Sequence, residues 1–207
     1  MTAPSPAPPS PAPLLRRADL LSQGLSDNRI RRALCSGELT SIVPGVYLRT
    51  ADIDELDPVA RHRAAVCAVT PLLVGDPVVS HLSAAVLLGL VAASGSAAGL
   101  FPAPVHVTRA GPTKSRRGQL VQMHRARLTP AEVARPATGP TVTSVPRTVL
   151  DCAFTLPFRD AVDVADTALS TGTVTGEELA AQLVRHTRTP GIRRAAAVLD
   201  VIGAGSW

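Results

Sequence analysis

Aromatic residues are nearly missing from this chain of 207 residues: they make up 2% of it, one Trp, one Tyr and three Phe. A core must therefore be assembled from Ala, Val and Leu. Lysine is scarcer still, since Lys114 is the only one and every other basic side chain is Arg. Cysteine is limited to Cys35, Cys67 and Cys152, an odd and scattered set that excludes a disulfide framework and reads as reduced, mostly buried thiols. The N-terminus lacks a charged segment followed by an apolar one, so no secretory signal is read there. The most apolar run, Ala84 to Ala93, is too short to span a bilayer and is interrupted by Gly89. A cytoplasmic protein with no membrane association is expected.

What is present points to a folded, basic chain. The hydrophobic fraction is 45% and the mean hydropathy +0.20, values that belong to a packed protein. The formal charge is +5 and the pI about 10.0, which suits an anionic partner such as nucleic acid. Residues 1–13 form a Pro/Ala/Ser tail with no capacity for a packed core. Residues 14–50 follow as one unit, 51–57 (ADIDELD) as an acidic connector, and 58–207 as a second unit.

The stretch Arg16 to Tyr47 organises the first unit. A helix from Arg16 to about Ser22 ends at the Gln23-Gly24 turn. Ser26 is placed to cap a second helix, with Leu25 and Ile30 spaced as a hydrophobic staple, and Gly37 ends it in a left-handed conformation. Leu39 to Val43 and Val46 to Leu48 read as a hairpin across Pro44-Gly45. At about 100° per residue, Ile30, Ala33 and Leu34 share the inner face of the second helix. Asn28 and Arg32 lie opposite, with Arg29 and Arg31 on the flanks. Arg matches guanine and Asn matches adenine in bidentate contacts, and flanking guanidiniums suit phosphates. A solvated arginine-rich face is the common alternative; the hairpin directly after the helix favours a winged helix-turn-helix.

In the second unit, helical spacing covers Val59 to about Leu72 and Val79 to Leu90. Val105 to Arg109 and Gln119 to Arg125 alternate as strands, Thr141 to Ser144 is a third, and helices are expected at Pro146–Thr155, Arg159–Ser170, Gly176–Arg185 and Pro190–Ile202. The fold class is α+β: a winged helix-turn-helix, then a mixed α+β domain with a small sheet and a helical C-terminal third. The loop between the first two strands carries Lys114, Arg116 and Arg117, which read either as a phosphate clamp or as an ordinary exposed hairpin loop.

No catalytic site assembles. A nuclease needing a lysine one residue beyond a metal-binding acid is excluded, because Lys114 follows Pro112 and Thr113. Nucleotidyl transfer needs Gly-Ser before a pair of aspartates, and here Gly95-Ser96 comes after Asp52 and Asp54. Asp52, Asp54, Glu55 and Asp57 read as linker charge, and Asp160, Asp163 and Asp166 as a solvated helix flank. The five histidines lack metal-ligand spacing. His81 alone stands out, as a functional hydrogen-bonding residue or, more commonly, a core or capping one. No metal and no cofactor are expected.

The segment GLSDNRIRRALCSGELTSIVPGVY resembles the N-terminal winged helix of AbiEi-type antitoxins of type IV toxin–antitoxin systems. SHLSAAVLLGL (Ser80–Leu90), VHVTRAGPTKSRRG (Val105–Gly118) and VTSVPRTVLDCA (Val142–Ala153) resemble the middle region of actinobacterial members. The resemblance implies a cytoplasmic DNA-binding antitoxin that represses its own promoter. It implies as functional partner a nucleotidyltransferase toxin countered without a stable complex. Ser26, Asn28, Arg29, Arg31 and Arg32 become the DNA-reading set, with Tyr47 and Arg49 on or beside the wing. The chain departs from the family in lacking a helix before Arg16, where the Pro-rich tract stands, and in stopping at Trp207, where many relatives enter a restriction-endonuclease-like domain. A non-catalytic protein-interaction domain without specific DNA binding is the alternative.

Overall fold

The computed structural model describes residues 13–110 and 116–204. The chain is a mixed α+β fold with two small sheets. It begins with a two-residue strand β1 (Leu15–Arg16), followed by helices α1 (Arg17–Ser22) and α2 (Asp27–Cys35). Ser26 caps α2 by accepting the Arg29 N–H at 3.3 Å, and Gly37 at φ +76° supplies the left-handed end that a Cβ would disfavour. Strands β2 (Leu39–Val43) and β3 (Val46–Arg49) form the expected hairpin, with a bulge between Ser41 and Val43. β1 adds antiparallel to β3, giving the order β1-β3-β2.

This hairpin is packed on both faces. Leu39 and Tyr47 join Leu20 of α1 and Ile30 of α2 in one small core. Val43 and Val46 instead join a second core with Val66, Ala68 and Val69 and with residues of the larger sheet. The acidic stretch read as a connector is in fact helical at its start, as α3 (Thr50–Asp54). Asp57 is not idle linker charge either: it accepts the Ala60 N–H at 2.9 Å and caps α4 (Pro58–Val69), with Pro58 in the first turn.

The segment expected as one helix from Val79 to Leu90 divides. Val78–Val79 form β4, and α5 (His81–Leu87) follows directly. β5 (Val105–Arg109), β6 (Arg116–Arg117), β7 (Val121–Arg125), β8 (Val133–Ala134) and β9 (Val142–Thr143) complete a sheet of order β6-β7-β5-β4-β9-β8. β5 and β7 are not hairpin partners: they run parallel, with β6 antiparallel on the outer side of β7. Alternation puts Val105, Val107, Val121 and Met123 on the face toward α4 and the N-terminal hairpin. The same alternation gives His106, Thr108, Gln122 and His124 to the other face.

Helices α6 (Val145–Thr155), α7 (Phe158–Ser170), α8 (Gly176–Arg185) and α9 (Ile192–Ala204) form the helical C-terminal third. Their core is built from small side chains, among them Ala153, Ala161, Ala165, Ala168 and Ala195, interleaved with Val149, Val164 and Val198. That is how a chain with so few aromatics still packs. Cys152 is buried in this core and Cys67 half-buried, but Cys35 is exposed, contrary to expectation. No helix among the described residues is long and apolar enough to cross a membrane.

Candidate nucleic-acid interface

α2 divides its residues by face. Ile30 is its buried residue, at 3% exposure, and Ala33 and Leu34 pack partly beside it. Asn28, Arg29, Arg31 and Arg32 are all exposed on the remaining faces. Arg31 Nη2 donates to Asn28 Oδ1 at 3.0 Å, one turn back, which aligns both side chains along the helix. Ser26 stands at the helix start as a cap. The one nearby carboxylate on α2, Asp27, is taken by Arg17 through bonds of 2.9 and 2.6 Å, and that pairing raises the Arg17 pKa. Among the described residues, Arg29, Arg31 and Arg32 therefore carry positive charge without an ion-pair partner.

The remaining predicted contacts scatter. Tyr47 is not a surface residue of the hairpin: it is 7% exposed and packs against Leu20, Ile30 and Leu39. A strand flanked by β1 and β2, with α1 and α2 on top, has no open face for it. Arg49 is exposed at the end of β3. Lys114 lies outside the described residues. Arg116 and Arg117 form β6, opposite Met123 and Gln122 respectively, and only their backbone is described.

A buried polar network, absent from the sequence expectations apart from His81, occupies the junction of the sheet with α5, α6 and α8. Arg147 donates from Nε to Asp151 Oδ1 and from Nη1 to Glu132 Oε1, both at 2.8 Å. Glu132 Oε1 also accepts from Gln182 Nε2 at 2.6 Å and lies 2.9 Å from His186 Nε2. Burial pushes the Glu132 carboxyl up, but the Thr129 N–H, Arg147 and His186 outweigh it and hold it well below the usual carboxylate range. Asp151 is shifted the other way, to about 6, because its burial outweighs the pull of Arg147. Its Oδ2 has no hydrogen-bond partner among the described residues and sits 3.8 Å from His81 Nδ1. His81 Nδ1 itself lies 2.9 Å from Ser80 Oγ, which accepts from Thr108 Oγ1 at 2.7 Å.

Two groupings emerge only in three dimensions. Scattered in the chain, His81, His106 and His124 come together, with one ring nitrogen from each within 4.8 Å of the others. Asp160 and Asp163 are not a solvated flank: the Ser96 hydroxyl lies 2.6 Å from Asp160 Oδ1 and 2.5 Å from Asp163 Oδ2, and Asp160 is buried. Asp166 alone of the three is exposed.

The depressed Glu132 carboxyl has a measurable consequence. A carboxyl with a lower pKa in the folded chain contributes stability above its unfolded pKa, near the ordinary 4.5, and loses it as the pH falls from there. The melting temperature of the parent is expected to drop more steeply between pH 5 and pH 3 than that of Glu132→Gln. Parallel slopes in thermal melts across that range would remove Glu132 from the account of acid stability.

Comparison with protein-family models and with curated proteins returns no match to this chain.

Proposed function

We propose that this chain is a DNA-binding, antitoxin-like transcriptional autorepressor that sets α2 into the major groove of its own promoter. The observation that carries this reading is the exposed row Asn28, Arg29, Arg31 and Arg32 on a helix whose opposite face is anchored by Ile30. A recognition helix needs that combination: a fixed inner face, and outer side chains free to meet base edges and phosphates. Asn28 and Arg32 read bases, and Arg29 and Arg31 meet phosphates. In this reading α1, α2 and the β2–β3 hairpin act as a winged helix-turn-helix, with Arg49 beside the flanking backbone. The resemblance to AbiEi-type antitoxins adds a cytoplasmic setting and a nucleotidyltransferase toxin countered without a stable complex; no catalytic step is involved.

The test is a gel shift with the chain's own upstream DNA against unrelated competitor at two salt concentrations. A shift that survives competitor supports the reading; one that competitor and salt both abolish reports only a basic surface. Within it, Arg32→Ala is expected to weaken specific binding by about 1–3 kcal/mol, the worth of one bidentate base contact, with no change in melting temperature. Unchanged operator affinity would remove Arg32 from the reading set. A second reading, a protein-interaction domain without specific DNA binding, is favoured by one observation: the hairpin is packed on both faces, so as a wing it offers DNA little beyond its turn.

A further inference from the structure

We propose that His81, His106 and His124 form a three-imidazole site for a divalent transition-metal ion of the zinc class, with its fourth position open to a cleft. The three side chains come from separate elements: His81 begins α5, His106 lies on β5 and His124 on β7. The parallel register pairs Thr108 with His124 and His106 with Gln122, so the two strand histidines sit diagonally on one face. His124 Nε2 and His106 Nδ1 are 3.1 Å apart. Imidazole nitrogens at about 2.0–2.1 Å from a tetrahedral zinc ion stand about 3.4 Å from one another, so these two already span one edge of the coordination polyhedron. The His81 ring stacks on His124 with centroids 3.6 Å apart, and one of its nitrogens lies within 4.8 Å of the other two. Binding would draw that nitrogen in to about 3.4 Å from each of them.

The surroundings of His81 are those of a ligand held from behind. Its Nδ1 is engaged by Ser80 Oγ, so Nε2 is the nitrogen left to coordinate, in the tautomer that carries its proton on Nδ1. Behind the same Nδ1, at 3.8 Å, stands Asp151 Oδ2, buried and without a hydrogen-bond partner among the described residues. A metal-bound histidine characteristically turns its other ring nitrogen to a hydrogen-bonding partner such as a carboxylate, which raises its basicity; here Ser80 Oγ holds that nitrogen and a carboxylate stands just behind it. His81 also adopts φ +53°, a conformation that a non-glycine residue holds at a cost and that clusters at functional sites. On the open side, His106 and His124 line a cleft of about 420 Å3 whose wall includes Leu82, Gln122, Leu156 and Pro157. Three imidazoles and one free position is the arrangement of an ion that binds water or a small exogenous ligand, as opposed to a closed structural site.

The test uses untagged full-length protein, stripped with chelator and titrated with Zn2+ and, in parallel, Co2+. The expected result is one equivalent bound, with Co2+ giving the strong visible absorption of a four-coordinate ion. In the parent protein, Zn2+ is expected to shift the ring signals of His81, His106 and His124 in proton–nitrogen NMR and to leave those of His62 and His186 in place; this readout needs no variant to fold. His124→Gln and His106→Gln are expected to weaken binding by more than about 100-fold, beyond the loss typical of an outer-shell partner. Cys35→Ser, which removes the exposed thiol, should leave binding unchanged. Absence of a stoichiometric site, equal affinity in the histidine variants, or Zn2+ shifts confined to other residues would overturn the proposal.

Discussion

Arg147→Ala is expected to cost about 3–5 kcal/mol of stability, the range for breaking a buried ion pair by removing one partner. Arg147 is 5% exposed and is the cation shared by Asp151, one turn on in α6, and Glu132, just before β8. Truncation leaves two carboxylates in a site with little water to replace the guanidinium. Asp151 already has one oxygen without a hydrogen-bond partner among the described residues, so the loss removes the one bond, from Arg147 Nε, that its carboxylate accepts there. Glu132 keeps Gln182 and His186, and part of the cost is recovered there. For a chain of this length, about 2–4 °C of melting temperature per kcal/mol turns the expected loss into a drop on the order of 10 °C. Arg147→Lys should recover only part of it, because an ammonium cannot present the two-pronged fork that meets both acids. Urea unfolding of the three proteins measures this directly. A loss under about 1 kcal/mol for Arg147→Ala would mean that water replaces the guanidinium, and that the network does not tie α6 to β8 and α8.

Where the chain carries explicit start and stop chemistry, its elements were legible. α2 is bounded by Ser26 and Gly37 and falls where they place it; α8 covers the expected Gly176–Arg185, and α4 starts at Pro58, behind an Asp57 cap that reads in the sequence as linker charge. What stayed hidden were relations between segments. Alternation in VHVTR and in QLVQMHR identifies two strands, but says nothing of whether they pair in parallel, and a short loop between them suggests a hairpin that does not form. Val78–Val79 is too short to separate from the apolar helix it precedes. The histidine cluster failed for the same reason. Its members are distant in the chain, so no ligand spacing can announce them; the register of β5 and β7 and the first residue of α5 make the site. Arg147 and Asp151 were closer to readable, since an i,i+4 Arg–Asp pair is a sequence pattern, but only burial tells such a pair from a surface one.

Tyr47 separates the two accounts of the hairpin most sharply. As a DNA contact on the wing, it would lose affinity on mutation and leave stability alone. As a core residue beneath α1 and α2, it is expected to behave the other way. Tyr47→Ala should destabilise the chain by about 3–5 kcal/mol, the range for truncating a buried ring of this size. The small core it shares with Leu20, Ile30 and Leu39 has no other aromatic side chain to fill the space. Tyr47→Phe keeps the ring volume and should stay near the parent in stability, with operator affinity unchanged. The contrast with Arg32→Ala is then complete: one substitution changes the fold beneath the helix, the other only what the helix presents. Thermal melts and gel shifts on the same preparations read both quantities. A folded Tyr47→Phe protein that bound its operator at least about tenfold more weakly, a difference of about 1.4 kcal/mol, would place the phenol hydroxyl on the DNA. The ring would remain a core group all the same, since it packs against Leu20, Ile30 and Leu39.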